Sequence, residues 1–236
     1  MTHASWKSRV AGLAAVLCMI LPAARGDDTT PSALESDLAG WVDLTAGIGP
    51  TFEGWSRGPI PPKVAGAMVA VTPSQWSLDP DNGHVRCKGN GSHEWIRWNK
   101  EVADGIFHVE WRFTPVVSGK KGYNSGVYVR NSADATVWHQ AQTGGGGDGY
   151  LFGETPGDGK LLAFNLSNKR SSHREKPAGQ WNTFEITFKG KEISLWVNGA
   201  TVNVFTQCGL PRGYVGLEAE GYEIEFRNVK LKTLDR

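Results

Sequence analysis

Two stretches of this 236-residue sequence place arginine, glutamate and tyrosine side chains together on strand faces. In NSGVYVR, Tyr128 and Arg130 share one face of an alternating segment. In FHVEWRF, Glu110 and Arg112 share the face opposite an apolar row. If the two segments pair, all four side chains line one sheet face, where guanidinium forks and a phenol suit the oxygens of a sugar. The sequence leaves equally open a solvated face carrying weak surface ion pairs.

The segment TVWHQAQ departs from ordinary apolar alternation. Trp138, Gln140 and Gln142 share one face, and two aligned amides beside an indole suit the recognition of hydroxyl groups. His139 lies on the other face among small apolar residues. A histidine in such a position is more often a satisfied core group than a catalyst, so His139 is a candidate base or ligand only.

Other carboxylates have simpler interpretations. Glu223, Glu225 and Arg227 share a face near the end of the chain, and acids followed by an arginine predict an exposed salt-bridge ladder rather than a glycosidase pair. Asp148 and Glu154 follow a glycine run and are candidate calcium ligands, although solvated loop acids are the favoured interpretation. Zinc-ligand spacing, a Gly-x-Ser-x-Gly elbow and a phosphate-binding loop before a helix are absent from the sequence.

These side chains require strands to position them, and the chain beyond residue 40 is a series of short alternating segments separated by turn-forming residues. No helical stripe interrupts them, which predicts an all-β fold, an antiparallel two-sheet β-sandwich. Asn198-Gly199 between two strand-like runs predicts a hairpin. Residues 51–74 and 143–160 are predicted as long irregular loops. The predicted strands are 76–78, 84–87, 95–98, 105–115, 125–131, 136–142, 161–165, 181–189, 192–198, 200–205, 213–218 and 224–232.

The composition excludes some classes of binding partner and favours another. Lys and Arg number 25 against 24 Asp and Glu, so no electrostatic attraction to nucleic acid or to an anionic membrane is expected. Ten tryptophans is a high count for a chain of this length. In an all-β protein it favours carbohydrate as the partner, since the C–H faces of sugars pack on indole rings.

The amino terminus has the layout of a secretory signal. Residues 1–26 carry a basic start, an apolar run too short to span a membrane, and small residues at the end. We therefore predict export to the periplasm or exterior of a bacterial cell. Residues 27–40 are predicted as a flexible lead-in to a single domain spanning 41–236.

Removal of the signal leaves two cysteines, Cys87 and Cys208. In an exported protein they could form one disulfide, or they could be two separate small hydrophobic residues. Sequence alone leaves the two alternatives equally open, because it does not show whether their Cα atoms lie close enough to be bridged.

Five stretches, taken in their order, resemble the exported 3-keto-disaccharide hydrolase family. They are EWRF, NSGVYVR, GYLFGETP, KPAGQWNTFEITFKGKEISLWVNG and VGLEAEGYEIEFRNVKLKTL. The opening WVDL and FEGW fit the family too, so the resemblance covers nearly all of the mature chain. It implies a concanavalin-A-like jelly roll and an enzyme that acts on glycosides already oxidised at sugar C3.

The implied chemistry is proton abstraction from C2, which the C3 ketone acidifies, followed by expulsion of the C1 substituent and addition of water. It needs a base, a cation or metal beside the enolate oxygen, and a donor for the departing oxygen. The resemblance suggests Arg130 for the enolate, with His139 or Glu110 as the base. It leaves room for a divalent ion on either of the latter two. Candidate sugar contacts are Trp138, Gln140, Gln142, Tyr128, Asn124, Arg112 and Tyr150.

One position departs from the family. Many relatives have a Glu-x-Gln strand after the NSG segment, where this chain has Trp138-His139-Gln140. A non-catalytic carbohydrate-binding module of the same fold is therefore the alternative function. An ordinary retaining glucanase is disfavoured, because the Glu-x-Asp-x-x-Glu strand of such enzymes is missing.

Overall fold

The computed structural model describes Met1 and residues 29–60, 68–119, 122–146 and 148–234. Within these residues, fifteen strands form two antiparallel sheets that enclose one apolar core. Helix is limited there to α1 (Ala33–Ser36) and one 3₁₀ turn (Ser167–Lys169). No helix of the described part is long and apolar enough to cross a membrane. The predicted all-β two-sheet sandwich is confirmed.

The first sheet has eight strands. In chain order they are β1 (Trp41–Asp43), β3 (Trp76–Leu78), β4 (Val85–Cys87), β6 (Gly105–Phe113), β11 (Asn182–Lys189), β12 (Glu192–Val197), β13 (Ala200–Phe205) and β15 (Ile224–Thr233). Their order across the sheet is β13-β12-β11-β6-β15-β4-β3, with β1 paired to β15.

The second sheet has seven strands and carries the site described below. They are β2 (Trp55–Pro59), β5 (Glu94–Trp98), β7 (Asn124–Asn131), β8 (Trp138–Gly144), β9 (Leu151–Gly157), β10 (Lys160–Asn165) and β14 (Tyr214–Ala219). Their order is β10-β9-β8-β7-β14-β5-β2.

The core forms where the apolar faces of the two sheets meet. On β6 the alternating residues Phe107, Val109, Trp111 and Phe113 are all buried, as their spacing predicts. The Trp111 ring packs edge-on against Phe113 and Phe184, with centroids 5.6 and 5.3 Å apart. Such contacts between rings add to the free energy gained by burying them.

The hairpin predicted at Asn198-Gly199 connects β12 to β13 and is confirmed. Both residues have positive φ, 43° and 109°, which is the requirement of the tightest hairpin turns. The Asn198 amide donates to Asn182 and to the carbonyl of Arg174, so the turn is also fixed to the neighbouring segments.

Both long loops predicted from the sequence contain strands, so those predictions are wrong in part. Residues 55–59 form β2 on the edge of the second sheet, and residues 151–157 form β9 beside β8. Gly153 explains why β9 was missed. A Cβ atom there would lie 2.1 Å from the Trp138 carbonyl oxygen, so the glycine that looks like a loop residue is what lets the strands approach.

The pairing of the Glu110 segment with the Arg130 segment, which the sequence left open, does not occur. β6 lies between β11 and β15 in the first sheet, whereas β7 lies between β8 and β14 in the second. The chain changes sheets between β6 and β7. Glu110 and Arg112 therefore lie on the outer face of the opposite sheet from Tyr128.

On that outer face the exposed salt-bridge ladder predicted for Glu223, Glu225 and Arg227 is present in part, since Glu225 is buried and Glu223 accepts from Thr114. Arg112 donates two hydrogen bonds to Glu225, and Arg227 donates to Glu110. The ring of Trp181 is contacted by both guanidinium groups, at 4.6 and 4.0 Å. These contacts assign Glu110 and Arg112 to the scaffold.

Arg130 points into the interior and not toward the outer face of its sheet. The pairing of β14 with β7 shifts between Tyr214 and Gly216, and Arg130 has a φ of 53° at this irregularity. Because a bulge turns a side chain to the other face, the alternation rule fails here. The Arg130 guanidinium donates to the Asp104 carboxylate at 2.7 Å and to the Leu210 carbonyl at 2.7 Å, and the residue is 1% exposed.

The cysteines are two separate buried free thiols, Cys87 on β4 and Cys208 beyond β13. Burial raises the pKa of the Cys87 thiol to about 12. The predicted secretory signal lies, apart from Met1, outside the described residues. In the segment predicted as a lead-in, the amides of Ala33 and Leu34 donate to the carboxylate of Glu185.

Replacing Arg130 tests its structural role. We expect Arg130→Ala to lower the free energy of unfolding by about 3–5 kcal/mol, because the partly buried Asp104 carboxylate loses its cationic partner and the Leu210 and Gly190 carbonyls lose the guanidinium donor. Chemical denaturation measures the change. The matched control is Arg212→Ala, whose ion pair with Glu101 is exposed and should be worth about 0–1 kcal/mol. Equal effects of the two substitutions would contradict the structural role.

Candidate active site

A cleft of about 550 Å³ opens on the outer face of the seven-stranded sheet. Four adjacent strands, β9, β8, β7 and β14, cross its floor. Six side chains from these strands line the cleft: Asn124, Tyr128, Trp138, Gln140, Gln142 and Glu218. Strand alternation explains their common direction, because the intervening residues Val127, Val129 and Ala141 lie in the core.

Strand register brings these side chains side by side. Tyr128 is opposite Gln140 on β8 and opposite Gly216 on β14. Gly126 leaves the space that the Gln140 side chain fills, since a Cβ atom there would lie 2.1 Å from the Gln140 amide nitrogen. The Gln140 amide therefore reaches across β7 to Glu218, to which it donates at 2.7 Å.

Glu218 is the centre of the cleft's hydrogen-bond network, and it is only 2% exposed. One carboxylate oxygen accepts from the Tyr128 hydroxyl at 2.5 Å and from His93 Nε2 at 2.8 Å. The other accepts from Gln140. The Trp95 ring lies edge-on to Tyr128 at 5.7 Å and closes the network from one side. A buried carboxylate needs such a set of donors to offset its lost hydration.

His93 and Glu220 form the accessible part of the same cluster. The Glu220 carboxylate lies 3.7 Å from His93 Nε2, and both side chains line the cleft. The hydrogen bond to Glu218 raises the pKa of His93. Burial, followed by the negative charge of Glu218, raises the pKa of Glu220. The cleft therefore pairs an imidazole that holds its proton more tightly with a carboxylate that is a stronger base than usual.

Amides continue the polar lining away from this cluster. Gln142 donates to the Asn124 side chain at 2.5 Å and to the Thr143 carbonyl, while Gln140 donates to Gln142 at 3.3 Å. Each amide is thus oriented by its neighbour. Fixed amide dipoles of this kind are suited to ordering the hydroxyl groups of a sugar ring.

The sequence prediction of sugar contacts agrees with this geometry for six side chains. Those lining the cleft are Asn124, Tyr128, Trp138, Gln140, Gln142 and Tyr150. The other four predicted site residues, Arg130, His139, Glu110 and Arg112, lie elsewhere. The His108 ring, whose Nε2 lies 3.9 Å from the carboxylate, and hydrogen bonds from Asn228 and Arg227 outweigh the effect of burial and lower the pKa of Glu110 to about 2. That makes it a weak base.

His139 is a core histidine. It is 0% exposed, its Nδ1 lies 3.1 Å from the Arg130 carbonyl oxygen, and its Nε2 lies 3.0 Å from the Thr155 hydroxyl. The rings of Phe164 and Phe205 pack beside it. Burial lowers the pKa of His139 to about 4. His139 is therefore the hydrogen-bonded core histidine that the sequence favoured over a catalytic one.

Sequence reasoning missed His93, Glu218 and Glu220. A signal existed for the two glutamates, since LEAE alternates buried apolar residues with acids at the end of a central strand, where a charge without partners is costly. His93 precedes β5 in a serine- and glycine-containing turn, and no periodicity singles it out.

Metal binding is compatible with the same cluster. His93, Glu218 and Glu220 are the only group of three or more potential ligands, among the described residues, whose ligand atoms lie within 4.8 Å of one another. A divalent ion would have to replace the hydrogen bond between His93 and Glu218, with Tyr128 and Gln140 retained as outer partners of the carboxylate. The two metal candidates from the sequence, His139 and Glu110, are not part of this cluster.

A further buried carboxyl, Glu175, lies behind the rim of the cleft that carries Tyr150. One of its oxygens accepts from the Asp148 amide at 2.7 Å, and the other has no hydrogen-bond partner among the described residues. Burial, followed by the charge of Asp148, raises the pKa of Glu175 to about 8. The rim is thus stabilised by a carboxyl that keeps its proton near neutral pH.

The free energy of unfolding should depend on the protonation of Glu175. Above the ordinary pKa of 4.5 the unfolded chain loses it, while the folded chain keeps it up to about pH 8. The free energy of unfolding therefore falls as the pH rises through this window. We expect Glu175→Gln to be more stable than the wild type at pH 9 by on the order of 1–3 kcal/mol, and nearly equal at pH 4.

Denaturant unfolding at pH 4, 7 and 9 measures this difference. Glu192→Gln, at an exposed position on β12, is the matched control and should show no pH-dependent gain. A Glu175→Gln variant that loses stability at pH 9 would show that the rim needs the ionised carboxylate.

Comparisons with known proteins show which solved structures have a similar fold. A protein described as a candidate glycosyl hydrolase from Parabacteroides distasonis is similar over 88% of this chain and 99% of its own, with 17% identity and a TM-score of 0.57. A carbohydrate-binding module from Bacillus subtilis covers 76% of this chain and 96% of its own, with 13% identity and a TM-score of 0.52. Their common architecture is the jelly-roll sandwich of carbohydrate-active proteins.

A third similar structure is a family 16 endo-glucanase from Bacteroides ovatus, with 10% identity, a TM-score of 0.51, and coverage of 82% of this chain and 99% of its own. The comparison with curated proteins found no significant match. The profile of one family, described as a 3-keto-alpha-glucoside-1,2-lyase-like domain, matches residues 36–232. The chain belongs to this family.

Proposed function

We propose that this protein cleaves 3-keto-glycosides by removing the C2 proton and eliminating the C1 substituent, with water then added to complete a net hydrolysis. The observation that carries the proposal is the cluster of His93, Glu218 and Glu220 within a sugar-sized cleft beside oriented amides. It supplies both a base of raised pKa and a proton-holding imidazole.

In the first step the Glu220 carboxylate takes the C2 proton. The electron pair of the C2–H bond moves to form an enolate, whose negative charge is on the oxygen at C3. His93, protonated and oriented by Glu218, donates a hydrogen bond to that oxygen. A base works best when its pKa lies near the working pH, so the raised pKa of Glu220 favours this role.

In the second step the C3 carbonyl re-forms, a C1–C2 double bond forms, and the C1–O bond breaks. Protonated Glu220 returns its proton to the departing oxygen, which leaves as an alcohol. Water then adds its hydroxyl to C1 and a proton to C2. The balance is one glycoside and one water in, one alcohol and one free 3-keto sugar out.

Glu218 is assigned a positioning role in this scheme. Both its oxygens already accept hydrogen bonds from protein groups, and the residue is nearly inaccessible. A retaining glycosidase requires two carboxylates that both face the bond being cleaved. Since only Glu220 of this pair is free to do so, the arrangement supports the elimination chemistry over that of an ordinary glucanase.

The cellular location that we propose rests on the sequence. The secretory layout of residues 1–26 supports export in a bacterial cell, where an oxidised disaccharide would be the partner. The described lining of the cleft consists mainly of amides, carboxylates and aromatic rings, which suits a sugar.

Glu220→Gln tests the chemistry. We expect kcat for a 3-keto-glucoside to fall about 10²–10⁴-fold, the usual contribution of general base catalysis, while sugar binding is retained. Product release from 3-keto-trehalose measures turnover, and titration calorimetry measures binding. The wild-type rate should rise with pH as Glu220 ionises and fall as His93 loses its proton, and the variant should lack the acid limb.

Glu223→Gln is the matched control, because Glu223 is three residues away and its carboxylate accepts from Thr114 outside the cleft. It should keep wild-type turnover. Full activity of Glu220→Gln would refute the assignment of the base. Sugar binding by a wild-type protein that never turns over a keto-glycoside would instead place the protein among carbohydrate-binding modules.

A further inference from the structure

The edges of the two sheets differ in how they are protected from other chains. β1 and β3 are only three residues long. β2 ends at Pro59, and Val69 exchanges two backbone hydrogen bonds with Arg57 along its free side. β13 is covered by the segment that follows β10, because the amide of Ser171 donates to the carbonyl of Val202. Short, covered or proline-containing edges of this kind resist pairing with another strand.

β10 has none of these devices among the described residues. It pairs only with β9, it is six residues long, and its register contains no bulge. The strand contains no proline and a single charged residue, Lys160 at its start. The seven-stranded sheet therefore ends in an unprotected edge.

The hairpin between β9 and β10 decides which backbone groups this edge exposes. Its two-residue turn, Asp158-Gly159, has positive φ at both positions, 51° and 74°, as in the tightest hairpin turns. The flanking pair, Gly157 and Lys160, is then hydrogen-bonded, and bonded and non-bonded pairs alternate from there. The residues whose amides and carbonyls point away from β9 are Leu161, Ala163 and Asn165. No hydrogen bond in the described part of the chain reaches these backbone groups.

The side chains along this edge are mostly apolar. Leu161 is 46% exposed. Leu162 and Phe164 point toward the other sheet, yet they are only half-buried and line an open cavity of about 390 Å³. Unpaired amides and carbonyls beside half-exposed apolar side chains are what a further β-strand would cover.

The strand that fits best is β10 of a second copy, placed antiparallel and centred on Ala163. Ala163 then faces its own counterpart, and Leu161 faces Asn165 of the second copy. Every amide and carbonyl on the free edge of these three residues gains a partner. Leu162 faces Phe164 of the second copy, so apolar side chains meet. The two Lys160 side chains lie at opposite ends of the ladder, so no like charges are brought together.

We propose that this protein forms a twofold-symmetric homodimer in which the two β10 strands pair edge to edge. The contact closes on itself, because both copies use the same surface. The two seven-stranded sheets become one continuous sheet, with both clefts open on the same side of it. The contact is a narrow strip, so we expect a weak dimer with Kd in the micromolar range. The proposal does not depend on the reaction assigned to the cleft.

Ala163→Pro tests the pairing, with sedimentation velocity of the full chain over a range of concentrations as the measurement. Proline removes the central donor of the new ladder and breaks no bond to β9, because Ala163 is in a non-bonded pair there. We expect Kd of the dimer to rise about tenfold or more. Ala163→Val keeps the amide and is the matched control, which should dimerise like the wild type. Circular dichroism of both variants checks that they are folded.

A cysteine cross-link tests the register. Residues facing each other in a bonded antiparallel pair have Cα atoms about 5.5 Å apart, within the range of about 4.4–6.8 Å that a disulfide spans. Under mild oxidation Ala163→Cys should therefore link to itself, while Leu161→Cys should link efficiently only when it is mixed with Asn165→Cys. The native thiols of Cys87 and Cys208 are buried and should not interfere. Val204→Cys, at a position 48% exposed on the covered strand β13, is the control for random collision.

Three results would overturn the homodimer. The first is a wild-type chain that stays monomeric at every concentration, which would leave the edge to a different partner. The second is a dimer whose Kd Ala163→Pro does not change. The third is cross-linking of Ala163→Cys that is no faster than that of Val204→Cys, and this comparison remains decisive even if the proline variant fails to fold.

Discussion

The buried carboxylate of Glu218 is the constraint on which the rest of the cleft depends. A charge that is 2% exposed is stable only when donors surround it. Here the donors come from Tyr128 on β7, Gln140 on β8 and His93 before β5, so three parts of the sheet are held to one group. The same carboxylate raises the pKa of His93, and it adds to the effect of burial in raising the pKa of Glu220. Stability and reactivity of the site therefore have a common electrostatic source.

The glycines of the sheet follow from this constraint. Gln140 reaches Glu218 only because Gly126 lies under its path, where any Cβ atom would overlap the amide. On the other side of the carboxylate, Gly216 makes room for the Trp95 ring, which would lie 2.6 Å from a Cβ atom there. Each of the two glycines thus leaves room for a large side chain from a neighbouring strand. Glycine is unfavourable in a strand, but Gly126 and Gly216 leave the space that the hydrogen-bond network around Glu218 needs.

Alternation rules therefore predicted the fold and the faces of regular strands, and they failed where the backbone is irregular. Trp138, Gln140 and Gln142 line the cleft as their period-two spacing implies. Arg130 does not, because a bulge with a left-handed residue reverses its direction, and a non-glycine residue gives no sign of that conformation. The sequence also could not decide whether the Glu110 and Arg130 segments pair, and they lie in different sheets. The direction of Arg130 and the pairing of the Glu110 strand depend on contacts between segments that are distant in the sequence. Local sequence patterns do not show such contacts.

The departure of this chain from its relatives can now be placed in the cleft. Position 138, where many relatives have an acid, is at the β8–β9 end and not at the acid and base cluster. Trp138 there contributes an aromatic face, while its cross-strand neighbour Glu154 keeps a carboxylate at the same end. The substitution therefore changes how the far end of the cleft contacts a ligand. It leaves Glu220 and His93, the base and the proton donor of the proposed chemistry, untouched.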